Sequence, residues 1–164
     1  MNDIERLLAI EEIKQLKARY FYGYDHKDWA FWRDQVWAPD GRLEVTEMDT
    51  VVTPRDTMIA WVSQQSADQV TVHHGHTPII EIVSDTEATG IWAMEDLLWR
   101  SLKNPNHGDV HFIHGWGHYH ERYVKLDVGW RILSTRLTRL RTEYHSTNGA
   151  VTVAAPVDYG VVPA

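Results

Sequence analysis

From Gln69 onward the chain reads as strands, and three of them are long and consecutive. The candidate strands are 69–75, 78–84, 87–101, 110–125 and 130–144. Turn signals separate them at Ser84-Asp85, Asn104-Pro105-Asn106-His107-Gly108-Asp109 and Asp127-Val128-Gly129. Long strands joined by connections this short favour an antiparallel meander.

Helical patterns precede the strands. Residues 3–24 form an amphipathic helix, with Ile4, Leu7, Leu8, Ile13, Leu16, Tyr20 and Tyr24 mostly three or four apart. Asn2 or Asp3 can cap its start, and Gly23 lies near its end. A second helix is expected over 29–36, with Asp28 as its N-cap. Ala38-Pro39-Asp40-Gly41 reads as a turn, and 42–48 alternates as a strand. Thr53-Pro54-Arg55-Asp56 opens a third helix, with Pro at its first position, running to about Gln65. Helices first and a long meander second specify an α+β layer fold. A curved antiparallel sheet wrapped against the N-terminal helices makes a cone, an α+β barrel with an open end. With 164 residues and 43% hydrophobic content, one domain is expected over 1–145. The tail, 146–164, is rich in Ala, Val, Gly and Pro, and is expected to pack on the domain or on a neighbouring subunit.

Several classes of function are excluded early. There is no cysteine, so thiol nucleophiles, disulfides, thiolate zinc sites and iron–sulfur clusters cannot form. The net charge of −7 opposes phosphate backbones, so nucleic acid is not an expected partner. No stretch approaches the roughly 20 apolar residues that span a bilayer, and the N-terminus has no uninterrupted apolar signal region. A cytoplasmic location is the expectation. Eight Trp and ten His suggest an aromatic-lined pocket with titratable groups.

The densest polar cluster is His73-His74-Gly75-His76-Thr77-Pro78. In a strand, His73 and Gly75 share one face, and His74 and His76 the other. His73 could then enter a cavity, with Gly75 leaving room beside it. The structural alternative is a set of imidazoles that bond only their neighbours. A second cluster, His111, His114, His118 and His120, surrounds Gly115-Trp116-Gly117. His118 and His120 have a possible metal-ligand spacing, but no carboxylate partner is evident, so no metal is assigned. Asp96 lies within the apolar run from Ile91 to Trp99, where an acid must sit at an edge or in a wet pocket. Arg136, Arg139 and Arg141 stud the last long strand. Alternation puts Arg139 and Arg141 on one face and Arg136 on the other.

The segments 10–25, His73 to Pro78, Ala88 to Asp96 and Gly129 to Leu133 resemble the SnoaL-like branch of the nuclear transport factor 2-like superfamily. The likeness covers most of 4–145 and implies the cone fold. Lyases of that family use an Asp–His pair, in which the His takes a proton from carbon and the Asp holds its tautomer. The matching positions here are Asp25 and His73. The bile-acid dehydratases of the family also place a Tyr at the position of Tyr20, an Asp at that of Asp96 and an Arg at that of Arg139. Val45 stands where they carry a pocket Tyr.

The resemblance implies a cofactor-independent lyase, of dehydratase or dehydrohalogenase type, acting on a hydrophobic cyclic molecule such as a steroid or polyketide. His73, Asp25, Tyr20 and Arg139 would be catalytic. Asp96, Trp92, Met94, Trp116 and His118 would bind substrate. A neutral imidazole that titrates near pH 7 is a suitable base, and a placed Arg or Tyr offsets developing negative charge. An isomerase or polyketide cyclase begins with the same proton abstraction. Two further readings use the fold differently: a non-catalytic small-molecule-binding domain, and the small subunit of a ring-hydroxylating dioxygenase. The apolar tail and the family point to a homodimer or homotrimer.

Overall fold

The computed structural model describes residues 1–154. Three helices, α1 (Asp3–Asp25), α2 (Trp29–Val36) and α3 (Arg55–Gln65), pack on one curved sheet. Its strands are β1 (Trp37–Val45), β2 (Thr50–Val52), β3 (Gln69–Ile82), β4 (Glu87–Arg100), β5 (Val110–Leu126), β6 (Gly129–Ser146) and β7 (Val151–Ala154). The order is β2-β1-β6-β5-β4-β3, with β7 also on β6. The architecture is α+β, as expected, and the sheet curves without closing. No helix among the described residues is long and apolar enough to cross a membrane.

The helix starts follow their local chemistry. Asn2 accepts from the Glu5 backbone while Glu5 reaches back to Asn2, a reciprocal cap. Asp28 caps α2 by accepting from the Phe31 N–H. The buried stripe of α1 is Ala9, Ile13, Leu16, Lys17 and Tyr20. Ile4, Leu7 and Leu8, expected on that stripe, are exposed.

The β3–β6 meander is antiparallel throughout. Four details differ from the sequence expectation. β3 is one strand rather than two, because Pro78 sits at a register break between His76 and Ile79 instead of ending the strand. β1 begins at Trp37 and absorbs the expected turn at 38–41 as another register break. It also joins β6 in parallel, since α1 and α2 lead into it on the far side of the meander. β2, three residues long, is too short to show alternation.

β1 pairs with 132–137 of β6, and β7 pairs with 142–145. The intervening edge at 138–141 is left to the turn Thr46–Met48, which Thr46 ties to the Leu137 carbonyl. Val151–Ala154 of the tail therefore lies on its own domain; residues 155–164 fall outside the described part of the chain.

Candidate active site

Asp25 ends α1 and points at β3. Its Oδ1 accepts from His73 Nδ1 at 2.6 Å and from Thr71 Oγ1 at 2.8 Å, and its Oδ2 accepts the His73 backbone N–H at 2.9 Å. Burial pushes the Asp25 carboxyl up, but the His73 and Thr71 hydrogen bonds outweigh it and hold the group below its ordinary value. With Nδ1–H donated to a carboxylate, a neutral His73 carries its lone pair on Nε2. The Tyr24 ring packs edge-on against the imidazole at 4.5 Å, and Tyr24 is itself held by Ser66.

His73 lines a cavity of about 310 Å³ between α1, α3 and the concave face of the sheet. Leu43, Val45, Val62 and Leu137 make its apolar wall. Tyr20 and Tyr119 stand together on the cavity, ring centroids 5.9 Å apart. Neither hydroxyl has a hydrogen-bond partner among the described residues. Burial pushes both phenols well above their ordinary value, so each is an O–H donor at neutral pH. The buried Lys17 ammonium lies 3.6 Å from the Tyr119 ring centroid and 4.1 Å from that of Tyr20, and pairs with Glu121 at 2.6 Å. Glu121 also accepts from Thr135 and Tyr123.

Asp96 stands opposite His73 in the β3–β4 register and is 2% exposed. Its Oδ2 meets Arg139 Nη2 at 2.7 Å. Arg139 Nε meets Glu47 at 3.1 Å and Nη1 meets Met94 Sδ at 3.5 Å, so all three guanidinium nitrogens are engaged. Burial lowers the Arg139 pKa, but Asp96 and Glu47 overcome this and hold it above its ordinary value. The guanidinium is a fixed cation. Gly115 makes the arrangement possible, because a Cβ there would overlap both Asp96 Oδ1 and Arg139 Nη1.

His73, Tyr20, Asp96 and Arg139, far apart in sequence, thus line one cavity, and Asp25 stands behind His73. Four other expected residues do not line it. Trp92 and Met94 face inward but lie deeper, Trp92 donating to the Tyr123 hydroxyl and Met94 lying behind Arg139. Trp116 and His118 are on the outer face of the sheet, because the inward positions of β5 are Gly115, Gly117, Tyr119, Glu121 and Tyr123. Trp116 packs there on His114 at 3.8 Å. His114 binds Glu95 at 2.7 Å, and His74 and His76 lie beside the same carboxylate. Among the described residues no group of three such side chains is suited to a metal ion.

Arg139 and Arg141 do not share a face. The register shifts between Trp116 and Gly117, leaving Leu140 as an extra residue on β6. Arg141 then turns outward to Glu143. Tyr119, Thr71, Glu47, Arg100 and the Lys17–Glu121 pair escaped the sequence reading. Parity with Gly115 and Gly117 was the available signal for Tyr119 and Glu121. A second concavity, of about 480 Å³ and lined in part by Ile79, Ile91 and His120, lies on the outer face away from His73.

A profile described as "SnoaL-like domain" matches residues 5–136. Many solved structures are similar, three of them as follows. A scytalone dehydratase-like protein from Novosphingobium aromaticivorans is 20% identical, with a TM-score of 0.76 over 98% of this chain and 99% of its own. A protein from Kribbella flavida is 23% identical, with a TM-score of 0.74 over 84% and 95%. A hexachlorocyclohexane dehydrochlorinase is 16% identical, with a TM-score of 0.73 over 97% of each chain. At these identities the likeness establishes the fold.

Proposed function

The chain belongs to the SnoaL-like domain family, and on that premise we propose that it is a cofactor-independent lyase of dehydratase type, acting on a hydrophobic cyclic molecule. The observation that carries this reading is the His73–Asp25 pair, held on the wall of a largely apolar cavity. His73 Nε2 takes a proton from a carbon next to a carbonyl group. Asp25 stabilises the imidazolium that forms and keeps the ring oriented. Tyr20 and Tyr119 donate to the carbonyl oxygen as it gains negative charge. The electron pair left on carbon forms the double bond, and the C–O bond to the neighbouring hydroxyl breaks. The imidazolium returns its proton to that oxygen, so water leaves and His73 is neutral again.

We assign Arg139 a positioning part: each of its three nitrogens already meets one partner, Glu47, Asp96 or Met94, so it sets the polar end of the cavity while the developing oxyanion falls to the two tyrosines. An isomerase is the second reading, because two unpartnered phenols suit an enolate whether or not a group departs.

Product analysis separates these readings. Cyclic β-hydroxyketones, their dehydroxy analogues, unsaturated ketones and halogenated rings would be incubated with the protein and followed by NMR and mass spectrometry. Loss of water from the hydroxyketones supports the dehydratase; double-bond migration without mass change supports the isomerase. Tight binding with no product from any of them would identify a binding domain.

A further inference from the structure

Arg100 ends β4 at the wide end of the cavity, which it lines with Leu98, Ile113 and Tyr144. That end is the mouth: Arg100, Leu98 and Tyr144 are half-buried, whereas Tyr119 and Asp96 at the other end are buried. Asp96, Leu98 and Arg100 alternate onto the same face of β4. Four residues of strand separate Arg100 from the level of Asp96 and His73, about 13 Å at the usual rise.

The two cavity arginines differ in their partners. Arg139 has two carboxylates and a thioether. Arg100 has no hydrogen bond or ion pair among the described residues, and its Nε is buried without a partner. Asp68 acts on it only at longer range, and leans instead on His107 at 3.7 Å. The Tyr144 hydroxyl is the other polar group that influences it from the facing strand. Burial pulls the Arg100 pKa down by more than Asp68 and Tyr144 raise it, the direction expected for a cation that has lost water without a close counter-charge. A buried guanidinium nitrogen is satisfied best by an oxyanion, whose geometry its planar fork matches.

We propose that Arg100 is an anion-recognition residue, and that the molecule held in this cavity carries a carboxylate or phosphate about 10–13 Å from the carbon that meets His73. The apolar body lies between them along Leu98 and Ile113, and Tyr144 flanks the anion at the mouth. The distance to the reacting carbon rests on the proposed role of His73; the anion site itself does not.

The test is binding, so it needs no turnover. Calorimetric titrations would use 4-(naphthalen-2-yl)butanoate, its methyl ester, and 3-(naphthalen-2-yl)propyl phosphate. Wild-type protein should bind one of the two anions at least tenfold more tightly than the ester, and which one identifies the group. Arg100→Gln should lose that preference while binding the ester as before. Arg100→Lys, which keeps the charge without the fork, should keep part of it. His73→Ala should retain the full preference, so failure of the lyase reading is distinguishable from failure of this one. Melting temperatures confirm that each variant is folded. Equal binding of acid, phosphate and ester, no binding of either anion to wild type, or a preference that survives Arg100→Gln would overturn the proposal.

Discussion

Asp25 grips His73 with both carboxylate oxygens, one on the ring Nδ1 at 2.6 Å and one on the backbone N–H at 2.9 Å. One side chain at the end of α1 therefore sets the tautomer of the imidazole and its position on β3. Asp25→Asn keeps the shape but removes the charge that selects Nδ1–H. Turnover of any identified substrate should fall by about 10²–10⁴-fold, the range for loss of an oriented general base. Steady-state kinetics of the two proteins checks this.

The same pair implies a pH signature in stability. The folded Asp25 carboxyl lies below its ordinary value, so folding favours its ionised form. That stabilisation is fully present above the unfolded value of about 3.9 and fades as pH falls through the lower folded value. The melting temperature of wild type minus that of Asp25→Asn should shrink steadily as pH falls below about 4. Thermal melts from neutral to acid pH measure the difference.

The tyrosines should separate stability from activity. The Tyr20 and Tyr119 hydroxyls bond nothing among the described residues, so Tyr20→Phe and Tyr119→Phe remove no internal hydrogen bond. Each variant should melt within a degree or two of wild type, because nothing inside the fold is left unpaired. Each should nevertheless lower kcat, by about 10²–10³-fold if it is one of two oxyanion donors.

Gly115 should be intolerant of any side chain. The Cβ of Gly115→Ala falls on Asp96 Oδ1 and Arg139 Nη1, and the backbone of β5 cannot move away without breaking its pairing. Overpacking of this kind costs about 1–3 kcal/mol. Urea denaturation should show it as a lower midpoint with an unchanged slope.

Lys17 and Glu121 form a pair with side chains 1% and 0% exposed. Lys17→Met leaves a buried carboxylate without its cation and should cost about 3–5 kcal/mol. Adding Glu121→Gln removes the stranded charge, so the double variant should recover part of the loss. A double-mutant cycle in urea reports the coupling directly.

The legible parts of the molecule were those set by near neighbours in sequence. Asn2 with Glu5, and Asp28 before α2, cap helices through contacts three residues away. Alternation in β3 correctly separates His73 from His74 and His76. The site was harder because its decisive contacts are remote: Lys17 meets Glu121 from 104 residues away. Alternation in β5 offers two plausible inward faces. The His and Trp residues make one attractive, yet the glycines mark the true one by leaving room for Arg139. The extra residue at Leu140 then shifts the count on β6 and sends Arg141 outward, a step that no period-two pattern contains.

The most direct test of His73 as a carbon base is deuterium incorporation followed by proton NMR. A panel of cyclic ketones and hydroxyketones would be incubated in D₂O with wild type and with His73→Ala, folding of the variant being confirmed by its melting curve. The expected result is solvent deuterium at the carbon next to the carbonyl, or loss of water, with wild type alone. Equal exchange by both proteins would contradict the role given to His73 and move the chemistry elsewhere in the cavity.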